Sequence, residues 1–240
     1  MSARFVLVAA ALAVTATAAA QTVDEIVARH EAARGGREAL AAVRTVRMTG
    51  VALAGPGRQA VVRREIARPG RIRTEFAFQG TTGVWAWDGS AGWRVSPLEG
   101  VFAPEAMPAE DAVAAAEQAD VEGPLVDWRG KGHAVELVGS ETLPGGPSHR
   151  LKVTLKSGAV RHVWVDAATG LVVRTESMRR LRGREVAVEA IFGDYRKTAG
   201  VAFARSVETG VVGRPRRLRI VVEAVEVNPV LDDSRFRMPH

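Results

Sequence analysis

"RREIARPGRIRTEFAFQGTTGVWAWDGSAGWRVS", residues 63–96, decides the fold. Apolar and polar residues alternate through it, and the alternation is broken only at Arg68-Pro69-Gly70, at Gly80 and at Asp88–Ala91. A period of two means strands whose successive side chains point to opposite faces. Interruptions this short mean hairpins, because a parallel neighbour needs a crossover of about a dozen residues or more. The stretch therefore predicts antiparallel strands joined in sequence order.

The same rhythm extends on both sides. "TVRMTGVAL" and "QAVVRREIA" flank Gly55-Pro56-Gly57 upstream. Downstream come "HAVELVG", "SHRLKVTLK", "AVRHVWVD", "LVVRTESMRRLRG", "REVAVEAIFGDYRKTAG", "VAFARSVETG" and "RPRRLRIVVEAVEVNP". About twelve strands result, with no helix between successive strands of the second half. That pattern excludes βα-repeat folds. It predicts a mainly β (α+β) chain, one large curved antiparallel sheet with N-terminal helices and a central helix packed on one side.

Two places carry helical signals. In "TVDEIVARHEAARGG", Thr22 and Glu25 form a capping box, Val23, Ile26, Val27 and His30 share a face, and Gly35-Gly36 ends the helix. "REALAAV" predicts a short second helix leading into a strand at Arg44. Residues 98–132 break the hairpin rhythm with a loop and then a helix from Pro108 to about Ala119, with proline at its first position and Glu110 and Asp111 in the first turn. Its alanine-rich faces let it lie close to a sheet or move away from one. Ala112, Val113 and Ala116 are its lid candidates.

The faces of residues 71–95 supply the candidate binding surface. Ile72, Thr74, Phe76 and Phe78 are in phase, opposite Arg71, Arg73 and Glu75. Trp85 and Trp87 share a face, Trp93 and Val95 share a face, and the "DGSA" turn is expected to return Trp93 alongside the first two. The candidate cavity lining is therefore Ile72, Phe76, Phe78, Trp85, Trp87, Trp93 and Val95. A fully packed core and an incompletely filled apolar concavity fit this pattern equally well.

Composition narrows the function. The first residues, "MSARFVLVAAALAVTATAAAQTVDE", join Arg4 to an uncharged apolar run ending at Ala18-x-Ala20, the pattern of an export signal cleaved after Ala20. Residues 1–20 are thus expected to be a signal peptide and 21–240 a single domain in the periplasm. With no cysteine there are no disulfides, thiolate metal sites or lipidated cysteine. The net charge of +6 favours anionic surfaces, phospholipid headgroups included, and implies transient membrane contact. Nucleic acid is not an expected partner: the basic residues alternate with apolar ones as on a solvated sheet face, and no nucleic-acid motif accompanies them.

The residue inventory points away from catalysis. "DGSAG" places glycine directly before Ser90 and is not a nucleophile elbow, and no H-E-x-x-H occurs. His30, His133, His149, His162 and His240 have no metal-site spacing. "WRGKGH" lacks the phosphate-loop frame, Asp232-Asp233 reads as a capped turn, and Asp166–Gly170 as a tight hairpin loop with glycine at positive φ. Neither metal, cofactor nor catalytic residue is expected.

The segments "VDEIVARHEAARGG", "VRTVRMTG", "WDGSAGW", "EGPLVDWRGKGHAVELVG", "LKVTLKSGAVRHVWVDAATGLVV" and "EVNPVLDDSRFRMP", in this order, resemble the LolA-like outer-membrane lipoprotein-sorting superfamily, particularly its uncharacterised periplasmic branch. The resemblance covers nearly all of residues 21–240. It implies an unclosed antiparallel barrel with helices as a lid over an apolar cavity that receives the acyl chains of lipids or lipoproteins. It also implies an alternative, an envelope module that senses lipid or docks another envelope protein. No single position matches the carriers' cavity arginine.

Overall fold

The computed structural model describes residues 21–181, 183–215 and 217–239. The expected signal segment and its cleavage point lie outside the described residues. The chain opens with α1 (Val23–Arg34) and α2 (Arg37–Ala42), then β1 (Thr45–Leu53), β2 (Gln59–Ala67), β3 (Arg71–Phe78), β4 (Thr81–Trp87), β5 (Gly92–Ser96) and β6 (Val101–Ala106). After α3 (Ala109–Gln118) follow β7 (Ala134–Leu143), β8 (Gly146–Thr154), β9 (Val160–Asp166), β10 (Val172–Leu181), β11 (Arg184–Thr198), β12 (Val201–Val211) and β13 (Arg217–Val227).

All thirteen strands form one antiparallel sheet in the order β6-β5-β4-β3-β2-β1-β13-β12-β11-β10-β9-β8-β7. Among the described residues the only sequence-distant strand pairing is β1 with β13, and β6 and β7 remain as edges, so the sheet curls without closing. The sequence accounts for every strand except β6. Residues 101–106 were expected as loop, because an edge strand carrying Pro104 lacks the alternation that marks paired strands.

Curvature has a local cause where β1 meets β13. Thr49 pairs with Ala224 and Gly50 with Val222, so Glu223 is an extra residue on the partner β13, a bulge that bends that strand. A Cβ at Gly50 would lie 2.0 Å from the Val221 carbonyl oxygen, so only glycine permits this approach.

The capping box of α1 forms as expected: Thr22 accepts from the Glu25 amide while Glu25 accepts from the Thr22 amide. Ile26 and Val27 then pack with Leu125 on Val135, Leu151, Val153, Val163 and Val165. Leu40 of α2 packs on Val46, Val201 and Phe203. His30 is buried and its Nδ1 lies 2.9 Å from the Gly170 carbonyl oxygen. Burial, with Arg34 nearby, lowers its pKa to about 4, so it is neutral at pH 7.

The outer face is a lattice of ion pairs. Glu65, buried there, accepts from Arg47 (3.0 Å) and Arg235 (2.6 Å) and lies 3.2 Å from Arg63. Burial pushes its carboxyl up, and the arginines outweigh it and hold the pKa below the ordinary value. Trp164 lies between the guanidinium groups of Arg150 and Arg174, 5.1 and 4.6 Å from its ring centroid. The C-terminal turn Asp233–Phe236 docks on this face, capped by Asp232 as expected, with Phe236 fully buried. Asp166 likewise caps its own hairpin loop, accepting from the amides of Ala168 and Thr169, with Gly170 at φ 74°.

Candidate functional site

Cross-strand register assigns each candidate to a face. Ile72 pairs with Trp87, Thr74 with Trp85 and Phe76 with Gly83, so Ile72, Phe76, Phe78, Trp85 and Trp87 share the inner, concave face with Val46, Val62 and Ile66. Trp93 pairs with Ala86 and Val95 with Val84, which places both on the outer face. This corrects the expectation that Trp93 returns beside Trp85 and Trp87. Partners directly opposite point the same way. Asp88–Ala91 joins Trp87 to Gly92, so Trp93 falls one residue out of phase.

Trp93 instead belongs to the C-terminal clamp. Its Nε1 donates to the Phe236 carbonyl oxygen at 2.9 Å, and the Arg73 guanidinium sits 5.2 Å from its ring centroid. With Val84, Ala86 and Val95 it forms an outer cluster.

The remaining candidates divide by cover. Ile72 is sealed beneath α3, packed with Ile66 and Ala119, with Trp87, Ala115 and Val121 around them. Phe76, Phe78 and Trp85 are only half-buried on the inner face. Phe76 and Trp85 meet edge to face at 5.6 Å, and the Trp85 ring lies over Gly83, where a Cβ would stand 3.0 Å from it. Trp87 and Ala116 border an open groove of about 710 Å3 that also reaches Pro69, Asp88 and Asp233.

The central helix spans Ala109–Gln118, starting one residue later than expected, so that Pro108 is its N-cap rather than its first residue. It packs through Ala115, Ala119 and Ala116. Of the lid candidates, Val113 is 48% exposed and points away from the sheet, Ala112 is half-buried, and only Ala116 faces the groove.

Sequence reasoning missed the polar groups that hold α3. Glu117 is ion-paired with Arg161 of β9 at 2.5 Å and with Arg179 of β10. Gln118 accepts from Arg64 of β2 at 3.2 Å. One helix thus bridges the two arms of the curled sheet, touching β3 and β4 on one side and pairing with β9 and β10 on the other. Burial lowers the pKa of Arg64 and of Arg161, which marks how deep in the concavity they stand. The signal was present in the phase: Arg64 sits in register with Val62 and Ile66, and Arg161 with Val163 and Val165, on the apolar face.

Toward the tips of the β1–β2, β10–β11 and β12–β13 hairpins no helix among the described residues covers the inner face. Ala54, Leu181, Val188, Val211 and Leu218 line a groove of about 340 Å3 there. Among the described residues no cluster of His, Asp or Glu has an arrangement that holds a metal ion. No helix there is long and apolar enough to cross a membrane.

Neither family models nor curated proteins give a match to this chain. Solved structures do. A domain classed as outer membrane lipoprotein-sorting from Vibrio parahaemolyticus aligns over 90% of this chain and 97% of its own, with a TM-score of 0.60 and 13% identity. A LolA superfamily protein from Nitrosomonas europaea aligns over 91% and 98%, with a TM-score of 0.56 and 13% identity. A DUF1329 family protein from Desulfovibrio piger aligns over 90% and 97%, with a TM-score of 0.53 and 13% identity. This chain has the fold of the LolA superfamily structures.

Proposed function

We propose that the protein is a non-enzymatic periplasmic carrier or binding protein for the acyl chains of lipids or lipoproteins. One observation carries the reading: the apolar inner face is roofed at one end and left half-exposed around Phe76, Phe78 and Trp85. Apolar surface of this kind, inside a curled sheet, is completed by an apolar ligand. Each methylene moved from water onto it contributes about 0.8 kcal/mol. The shared fold with lipoprotein-sorting structures supports the same reading.

α3 acts as the lid. Its contact with the sheet is small-residue packing plus the Glu117 ion pairs and the Gln118–Arg64 hydrogen bond, and lifting it uncovers Ile66, Ile72 and Trp87 for a ligand to cover. The test is native mass spectrometry of protein exported to the periplasm, followed by lipid extraction and titration with a fluorescent fatty acid. Copurifying acyl lipid and saturable binding are expected. A lipid-free protein that binds no fatty acid overturns the carrier.

A second reading has its own observation. The edge strand β6 presents Phe102 at 78% exposure beside Leu98 at 77%, a surface suited to another envelope protein. Pull-down from envelope extract that yields a stable protein partner and no lipid favours this module over the carrier.

A further inference from the structure

Most arginines of the sheet are held in ion pairs. At one rim five are not, beside Arg217, which pairs there with Glu189 and Glu208. Arg58 in the β1–β2 turn, Arg180 and Arg184 flanking the β10–β11 turn, Arg214 in the β12–β13 turn and Arg219 just beyond it are all exposed. None of the five is in an ion pair among the described residues, whereas Arg47, Arg73, Arg94, Arg150 and Arg174 each are.

These three hairpins converge. Ala54, Leu181 and Val211, the last residues before their respective turns, line one groove, and Val188 and Leu218 continue it onto the inner face. Leu181 and Val212 project beside the arginines at 44% and 37% exposure. Exposed apolar tips ringed by unpaired guanidinium groups match an interface whose surface is anionic and whose interior is hydrocarbon. A soluble acidic partner would satisfy the charges and leave the apolar tips and the groove unexplained.

We propose that this three-hairpin rim docks on an anionic phospholipid bilayer and sets the open groove against it, so that acyl chains pass between membrane and inner face. The inference rests on the carrier reading, since it names the surface from which the ligand enters. Arginine suits the role because its weakly hydrated guanidinium pairs with phosphate in a bidentate fork.

Co-sedimentation with vesicles tests it, using phosphatidylcholine alone and phosphatidylcholine mixed equally with phosphatidylglycerol. The protein is expected to bind the anionic vesicles, to ignore the zwitterionic ones, and to dissociate as salt rises. At about fivefold per basic residue at such a surface, Arg58→Glu/Arg180→Glu/Arg214→Glu is expected to lose about a hundredfold in affinity or more. Arg44→Glu/Lys197→Glu/Arg237→Glu, with the same change in net charge away from the rim, is expected to bind as the parent does. Circular dichroism and melting of both variants establish that they fold.

Failure to bind anionic vesicles, equal loss in both variants, or competition by polyglutamate at matched charge overturns the docking rim. Fatty-acid titration of the same samples keeps the two readings apart. Uptake of fatty acid without vesicle binding removes the rim and leaves the carrier, and vesicle binding without uptake supports the rim and removes the carrier.

Discussion

The inner face of the sheet is one continuous surface with two different fates. At one end α1 and α2 cover it, and Leu151, Val153, Val163 and Val165 are as buried as any core residue. At the other end, Phe76, Phe78 and Trp85 stand on the same face only half-buried among the described residues. The strands do not differ in kind between the two ends. What differs is the cover: branched residues of α1 interdigitate with the sheet, while α3 offers alanines. A roof of small side chains leaves space, and space on an apolar face is where a ligand goes. The roofed end holds the fold, and the open end is free to exchange ligand for water.

The comparison predicts unequal costs for equal truncations. Leu151→Ala, at the fully buried roofed end, is expected to cost about 3 kcal/mol of stability, read from urea unfolding. A cost below 1 kcal/mol would remove the claim that this end is the core. The second-largest effect is pH-dependent. Because the folded pKa of His30 is lowered to about 4 from an ordinary 6.5, the unfolded chain binds the proton first as pH falls. Stability is therefore full above pH 6.5 and declines as pH falls through the window to 4, by about 3 kcal/mol. His30→Gln should flatten that slope between pH 6.5 and pH 5, a range above the ordinary carboxylate pKa values. An unchanged slope in the variant would move the effect elsewhere.

The strands were legible because alternation and turn residues are local properties. "RIRTEF" and "VWAW" declare their faces wherever they lie. What pairs across a turn is less local: one residue more or less in Asp88–Ala91 decides whether Trp93 joins Trp85 or opposes it, and only the register settles that. β6 escaped notice because Pro104 and the exposed Phe102 belong to an edge, where alternation is not required. The α3 anchors were legible in part. Arg64 and Arg161 stand out as charged residues in phase on an apolar face, but Gln118 as the partner of Arg64 and Glu117 as that of Arg161 are facts of tertiary structure, since 44 residues separate Glu117 from Arg161.

Glu117 is where the two ends are joined, which gives a third prediction. Glu117→Gln removes both ion pairs and leaves Arg161 and Arg179 facing the concavity unpaired. The cost expected is about 2 kcal/mol, tempered by water at the open end. Amide exchange should rise within α3 and remain unchanged in α1. Global loosening, with α1 exchanging as fast as α3, would mean that α3 is a structural strut rather than a lid.

The smallest effect on stability is expected where the effect on ligand is greatest. Phe76 is half-buried and its ring partner is Trp85, so Phe76→Ala removes one edge-to-face contact and little sealed core. A loss below about 1 kcal/mol is expected in urea unfolding, against about 3 for Leu151→Ala on the same face. Fatty-acid affinity should move the other way, falling about tenfold for Phe76→Ala, as one lost ring contact of about 1.4 kcal/mol requires. Leu151→Ala, measured where it remains folded, should bind as the parent does. If Phe76→Ala costs as much stability as Leu151→Ala and leaves fatty-acid binding intact, the open end is core after all, and the division between the two ends disappears.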